Sequence, residues 1–192
     1  MEKNVYLDLG YWVQKKAKQL GASQSALGIN QSRSVSVDYR DGKVETLKES
    51  TQQSLWIELF AGGRYSSHST NDLRKDSLEK FLTNAVDLTG FLTKDEFRRL
   101  ADPELYKGQS KVDLDLNDSS QGDITAEERQ ARAKALGAQL EGKDERIISV
   151  ASGFYDSHSE SYQLASNGFE GHKESTSFTH GVSVSLQGAG DK

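Results

Sequence analysis

His68, His158, His172 and His180 are the only imidazoles in the chain. None falls in HExxH, HExxxH or another zinc-ligand spacing. His172 and His180 flank a turn-like stretch and could share a site, but surface or edge-strand histidines are the commoner case. On a strand, Asp156, His158 and Glu160 would share one face. That grouping could orient an imidazole, yet no positioned nucleophile or oxyanion hole accompanies it. Asp113-x-Asp115-x-Asn117 opens like a calcium loop and then fails, with Asp118 at the turn-glycine position and Ile124 at the bidentate-glutamate position. Gly62-Gly63 is a turn and not a phosphate loop, because neither GxxxxGK[ST] nor GxGxxG surrounds it. Trp12 and Trp56 read as core anchors rather than ligand stackers. No catalytic residue and no metal ligand is assigned. The one candidate for substrate binding is Ser69, Thr70, Asn71 and Asp72, at the end of a Ser/Thr-rich edge strand that could pair with an extended peptide.

The elements that must hold these residues come from 192 residues, enough for one large domain or two small lobes. Hydrophobic residues make up 34% and charged residues 28%, but the apolar ones fall in periodic segments that can build a core. The formal net charge of −5 argues against a nucleic-acid backbone as direct partner, since phosphate binding needs a basic patch. There is no cysteine, which excludes disulfides, thiolate catalysis and Cys-ligated zinc. The N-terminus lacks the apolar centre of a signal peptide, and no apolar run is long enough to span a membrane. A cytoplasmic protein is the expectation.

Val5, Leu9, Val13, Ala17 and Leu20 recur at helical steps and predict a helix over about Asn4 to Leu20, stopped by Gly21. Val35, Val37 and Tyr39 alternate with polar residues and predict a strand from Ala26 to Arg40. Asp41-Gly42 signals a type I′ hairpin. A return strand over Lys43 to Ser50, a central strand over Leu55 to Ala61, the Gly62-Gly63 turn and a polar edge strand over Arg64 to Thr70 follow. Asn71 or Asp72 can cap the next helix, whose buried stripe is expected to hold Leu78, Phe81, Leu82, Ala85, Val86 and Leu88. A short helix is expected over Lys94 to Leu100, a break at Asp102-Pro103 and an acidic loop over Asp113 to Asp123. Thr125 and Glu128 form a capping-box match opening a helix to about Leu140. Strands over Arg146 to Phe154, Ser161 to Ser166 and His180 to Gln187 complete the series, with a type I′ signal at Asn167-Gly168.

The word KEST occurs at Lys48–Thr51 and again at Lys173–Thr176, each time after a helix, a strand and a glycine-containing turn. This echo predicts internal duplication of a helix-strand-strand-strand unit, over about 4–61 and 125–187, joined by a helical linker region 72–124. The fold class expected is α+β, antiparallel sheets with flanking helices, forming one domain over 1–187 and an exit tail over 188–192.

The words SRSVSVDYRDGKVE at Ser32–Glu45, STNDL at Ser69–Leu73, DPELYKG at Asp102–Gly108 and RIISVASGFYDSHSESYQLASNGFEG at Arg146–Gly171 resemble the N-terminal domain of the TldD/PmbA family, known as modulators of DNA gyrase. The SNGF and SH elements resemble the PmbA (TldE) branch more than the TldD branch. The resemblance implies a cytoplasmic metallopeptidase system built from an N-terminal α+β domain and a C-terminal domain. It implies a homodimer or a TldD–TldE-like heterodimer that cuts unfolded peptides. Its zinc would be held by an HExxxH helix in the C-terminal half or in a partner subunit, beyond Lys192, and no zinc ligand carries over to this sequence. Arg74-Lys75-Asp76 departs from the Ser-Pro-Glu helix start often found in the family. The resemblance therefore implies a non-catalytic part that admits unfolded chains and helps to form the dimer. A stand-alone peptide-binding or scaffolding module is the alternative, and an enzyme using His158 ranks last.

Overall fold

A computed structural model of the chain describes residues 5–110, 112–188 and 190. Asn4, the expected start of the first helix, and residues 189, 191 and 192 of the expected exit tail lie outside the described residues. The elements run α1 (Val5–Gln19), β1 (Gln24–Arg40), β2 (Lys43–Ala61), β3 (Arg64–Thr70), α2 (Lys75–Thr89), α3 (Ala126–Ala138), β4 (Ile147–Ala165) and β5 (Glu170–Leu186). Short 3-10 turns occupy Pro103–Tyr106 and Ser119–Asp123. The strands form one antiparallel sheet in the order β3-β2-β1-β4-β5, so the fold is α+β.

Turn chemistry sets the hairpins. Asp41 and Gly42 have φ of 49° and 72°, and Gly62 and Gly63 have 57° and 74°, the paired left-handed residues that a type I′ turn requires. Asn167-Gly168 departs from expectation, because only Gly168 is left-handed, at φ 100°. The Asn167 side chain is diverted instead to a tether: its Nδ2 donates to the Ala101 carbonyl at 2.6 Å and to Tyr106 Oη at 3.0 Å.

Several boundaries also differ from the sequence reading. The two strands expected over 43–50 and 55–61 are one, β2, since the polar residues between them extend the backbone as readily as apolar ones. The same holds for β4, which spans both expected segments. No helix forms over 94–100: Asp95 donates its N–H to the Gly63 carbonyl at 2.8 Å, and its carboxylate takes the Phe97 N–H at 3.0 Å. Neither Asn71 nor Asp72 caps α2, whose cap position is Arg74 with no side-chain cap. Asp72 folds back on Arg74, accepting its backbone N–H at 3.1 Å and its Nε and Nη2 at 2.9 and 2.5 Å. By contrast Thr125 and Glu128 close the expected capping box on α3, at 3.1 and 3.0 Å.

Contacts group the residues into two units. The first takes in the described residues of Met1–Gln31, with Gln52–Leu114 and Glu160–Glu174. Its core joins Val13 and Ala17 of α1, Leu78, Leu82 and Ala85 of α2, Leu27 and Ile29 of β1, and Leu55, Ile57 and Leu59 of β2. Trp12 borders this core, with the Lys75 ammonium 5.9 Å from its ring. Trp56 does not join it. It alternates with Leu55 and Ile57 and so lies on the other face of β2, where its indole covers Gly28. A Cβ at position 28 would collide with that ring. Trp56, Tyr106 and Phe169 line a cavity of about 260 Å³ there.

The second unit takes in Ser32–Thr51, Asp115–Ser159 and the described residues of Ser175–Lys192. Val37, Tyr39, Ala133 and Phe154 make its apolar core. Beside them lies a buried ion pair, Arg129 at 5% exposure and Asp156 at 0%. Arg129 Nε and Nη2 donate to Asp156 at 2.5 and 2.9 Å, and the Gln121 amide donates to the same carboxylate. Burial is the largest single influence and pushes the Asp156 carboxyl up; the bonds from Arg129 and Gln121 outweigh it and hold the group below its ordinary value. Phe178, Val182, Val184 and Leu186 of β5 are exposed.

Arg129→Met removes one partner of the buried pair and is expected to cost about 3–5 kcal/mol in urea unfolding, whereas Arg129→Met with Asp156→Leu recovers much of it. A depressed folded pKa makes the contribution of Asp156 complete above the unfolded carboxylate value of about 3.9 and lost as pH falls through the folded value. Unfolding titrations from pH 7 downward read this as a loss present in the wild type and absent in the double variant. Gly28→Ala displaces the Trp56 indole and is expected to cost about 1–3 kcal/mol with a shifted tryptophan emission.

Candidate functional site

β3 ends the strand order, so β2 is its one strand neighbour. The pairing runs antiparallel from Ala61↔Arg64 to Leu55↔Thr70. Its outer N–H and C=O groups therefore face no strand among the described residues, the arrangement that β-strand addition uses. The strand is short and polar, which keeps such an edge from aggregating.

Alternate side chains fasten β3 on its two faces. Ser66, 7% exposed, shares a 2.5 Å hydrogen bond with Thr89 Oγ1, and Thr89 donates to the Ala85 carbonyl at 2.7 Å. His68 Nε2 lies 2.8 Å from Ser66 Oγ, and its ring meets Phe81 edge-on at 6.3 Å. Burial pushes the His68 imidazole below its ordinary value, favouring the neutral ring at pH 7. On the other face Tyr65 donates to Glu58 at 2.7 Å, a bond that raises the phenol's pKa, and the Arg98 guanidinium sits 4.7 Å from the Tyr65 ring. Arg64 Nε donates to the Leu92 carbonyl at 2.8 Å. The start of β3 is thus tied to segment 92–98, and its later residues carry the open edge.

Ser69, Thr70, Asn71 and Asp72 all lie where β3 runs out toward α2. Ser69 pairs with Trp56 and is exposed, and Thr70 pairs with Leu55. Thr70 Oγ1 accepts the Asp72 N–H at 3.1 Å. Asn71 is exposed, while Asp72 is held by Arg74 first and then Ser77, which keep its carboxyl far below the ordinary range. The Ser66–Thr89 link was not legible in the local pattern. The available signal was a hydroxyl, Thr89, one helical turn after Ala85 on the apolar stripe of α2.

The other sequence candidates are not brought together. Asp156 belongs to Arg129 and Gln121. Glu160 accepts from Tyr162 and lies 3.0 Å from His172 Nε2, and His172 stacks on Tyr162 at 4.5 Å. His180 Nε2 donates to the Arg132 carbonyl at 2.8 Å and meets Phe154 edge-on. The would-be calcium loop is pinned elsewhere, with Leu116 accepting the Thr176 N–H and Asp118 donating to Thr176 Oγ1, each at 2.9 Å. Among the described residues no three His, Asp or Glu side chains converge on a common point. Residues so partnered do not fit a zinc centre.

Comparison with known proteins gives this architecture a lineage. A model of PmbA/TldA metallopeptidase domain 1 matches residues 26–89, and one of the PmbA/TldA metallopeptidase central domain matches residues 120–192. Between them they cover well over half of the chain. The metalloprotease PmbA of Escherichia coli O157:H7 is 28% identical over 140 residues, which is 72% of this chain and 30% of that protein. A solved modulator of DNA gyrase from Bacteroides thetaiotaomicron is 35% identical with a TM-score of 0.94, over 100% of this chain and 44% of that one. TldE from Thermococcus kodakarensis shares the fold at 12% identity and a TM-score of 0.72, over 94% of this chain and 40% of that one. The chain thus spans less than half the length of these relatives. On two successive domain matches and a fold shared end to end, it belongs to the PmbA/TldD metallopeptidase family, as an N-terminal part of its members.

Proposed function

We propose that the chain is the non-catalytic N-terminal part of a PmbA/TldD-type metallopeptidase, and that the free edge of β3 receives an extended, unfolded peptide. Hydrolysis and zinc belong to a C-terminal domain or a partner subunit, the assembly being a homodimer or a TldD–TldE-like heterodimer in the cytoplasm, with no direct role for nucleic acid or membrane. Family membership supports the peptidase setting. The observation that carries the peptide role is the short open strand, anchored from within by Ser66 and Thr89. Main-chain hydrogen bonds to such an edge are indifferent to side-chain sequence, and a folded substrate has most of its backbone groups already paired. Ser69, Thr70, Asn71 and Asp72 continue the polar track past the end of the strand.

A photo-crosslinker at Ser69 of the full-length protein is expected to label a reduced, carboxymethylated polypeptide and to spare the same polypeptide when folded. Labels confined to the remainder of the protein would count against the edge. Thr89→Val leaves the buried Ser66 hydroxyl without this partner and is expected to cost about 1–3 kcal/mol of stability, with weaker crosslinking at position 69.

A further inference from the structure

The hollow beside Trp56, within the first unit, has walls of two kinds. Trp56 and Glu58 alternate with Leu55, Ile57 and Leu59, so both point away from the core that α1 and α2 cover. Ala26 and Ala165 are small and leave space on the same cavity's strand side. The segment through Leu100, Ala101 and Tyr106 closes it from another side and is fixed there. Asn167 Nδ2 donates to the Ala101 carbonyl and to Tyr106 Oη, and the rings of Tyr106 and Phe169 meet at 4.9 Å with 54° between their planes. The space of about 260 Å³ is therefore held open by named contacts. Two opposite charges stand among its three aromatic rings. Arg99 has no hydrogen-bond, ion-pair or ring partner among the described residues. Glu58 accepts one bond, from the Tyr65 hydroxyl at 2.7 Å, and a carboxylate has further lone pairs to offer. The two do not pair with each other, so each is available to a ligand.

We infer that this hollow is a binding site for an aromatic α-amino acid. The ring lies among Trp56, Tyr106 and Phe169, the carboxylate meets Arg99 and the ammonium meets Glu58. Drug-sized ligands occupy pockets of roughly 300–1,000 Å³, and this space is smaller, on the scale of one bulky residue. Its charges turn away simpler occupants. A lone anion brings a like charge toward Glu58, a lone amine brings one toward Arg99, and a neutral apolar molecule leaves both unmatched. A small molecule that carries a ring, an ammonium and a carboxylate on one short frame answers all three demands. The site is separate from the β3 edge and does not depend on the peptide role given to it.

The test follows Trp56 emission in the full-length protein, assigned by its loss in Trp56→Phe. L-phenylalanine is expected to change that emission saturably, and L-alanine, which has no ring, to leave it unchanged. 3-Phenylpropionate lacks the ammonium and phenethylamine lacks the carboxylate, so each is expected to bind about fivefold more weakly, the scale of one exposed charge pair. N-acetyl-L-phenylalaninamide carries the ring without either charge and is expected to bind more weakly still. Arg99→Gln is expected to weaken L-phenylalanine and to leave phenethylamine as it was. Glu58→Gln is expected to weaken L-phenylalanine and to leave 3-phenylpropionate as it was. The analogue series on the wild type decides the matter by itself if a variant fails to fold. No saturable change with L-phenylalanine, an equal response to L-alanine, or equal affinity for the neutral amide would overturn the site. So would folded charge variants that weaken the matched and unmatched ligands alike.

Discussion

A sheet of five strands has two rims, and at each the last strand has a strand neighbour on one side only. That constraint shapes this molecule more than any side-chain contact does. At the β3 rim it is met by brevity and by polarity: seven residues, of which four are serine or threonine, with the inner face fastened to α2 by a hydroxyl pair. The rim stays available because nothing apolar recommends it to a nonspecific partner. At the β5 rim the solution is different, with valine, leucine and phenylalanine left exposed along the strand.

The two units rest on different kinds of interaction. In the first, alternate residues of β1 and β2 meet the stripes of α1 and α2 in an apolar core bordered by the Ser66–Thr89 hydroxyl pair. In the second, a smaller apolar cluster shares the interior with an arginine, an aspartate and a glutamine. Replacing one partner of such a group leaves an uncompensated charge inside, so the interior of the second unit depends on Asp156 staying ionised. The same division holds for the histidines. Each described contact of His68, His172 and His180 is with a partner on its own unit.

Much of the backbone was legible in short words. Asp41-Gly42 and Gly62-Gly63 specify their turns because few residues tolerate two successive left-handed conformations. Thr125 and Glu128 specify a helix start because they satisfy each other's backbone N–H. The edge position of β3 followed from its lack of apolar residues. What local pattern could not disclose is pairing across distance. Asp156 stands in the run DSHSES, which reads as a wet surface, and only the arrival of Arg129 makes its burial tolerable. Trp56 reads as core until Gly28, on the neighbouring strand, leaves a bare patch for it on the opposite face. Segment 94–100 has helical composition, but the Gly63 carbonyl takes the Asp95 N–H, and the turn prevails.

The tether on Asn167 has a consequence for the chemical lifetime of the protein. Asparagine followed by glycine is the dipeptide most prone to spontaneous deamidation, which begins when the next backbone nitrogen attacks the side-chain carbonyl. Here the amide nitrogen is moored at two points and the oxygen is closed off from water. The rotation that cyclisation needs is therefore opposed by the two bonds of the amide nitrogen. A hairpin whose sequence would age quickly in a free peptide is protected by the loop it holds in place.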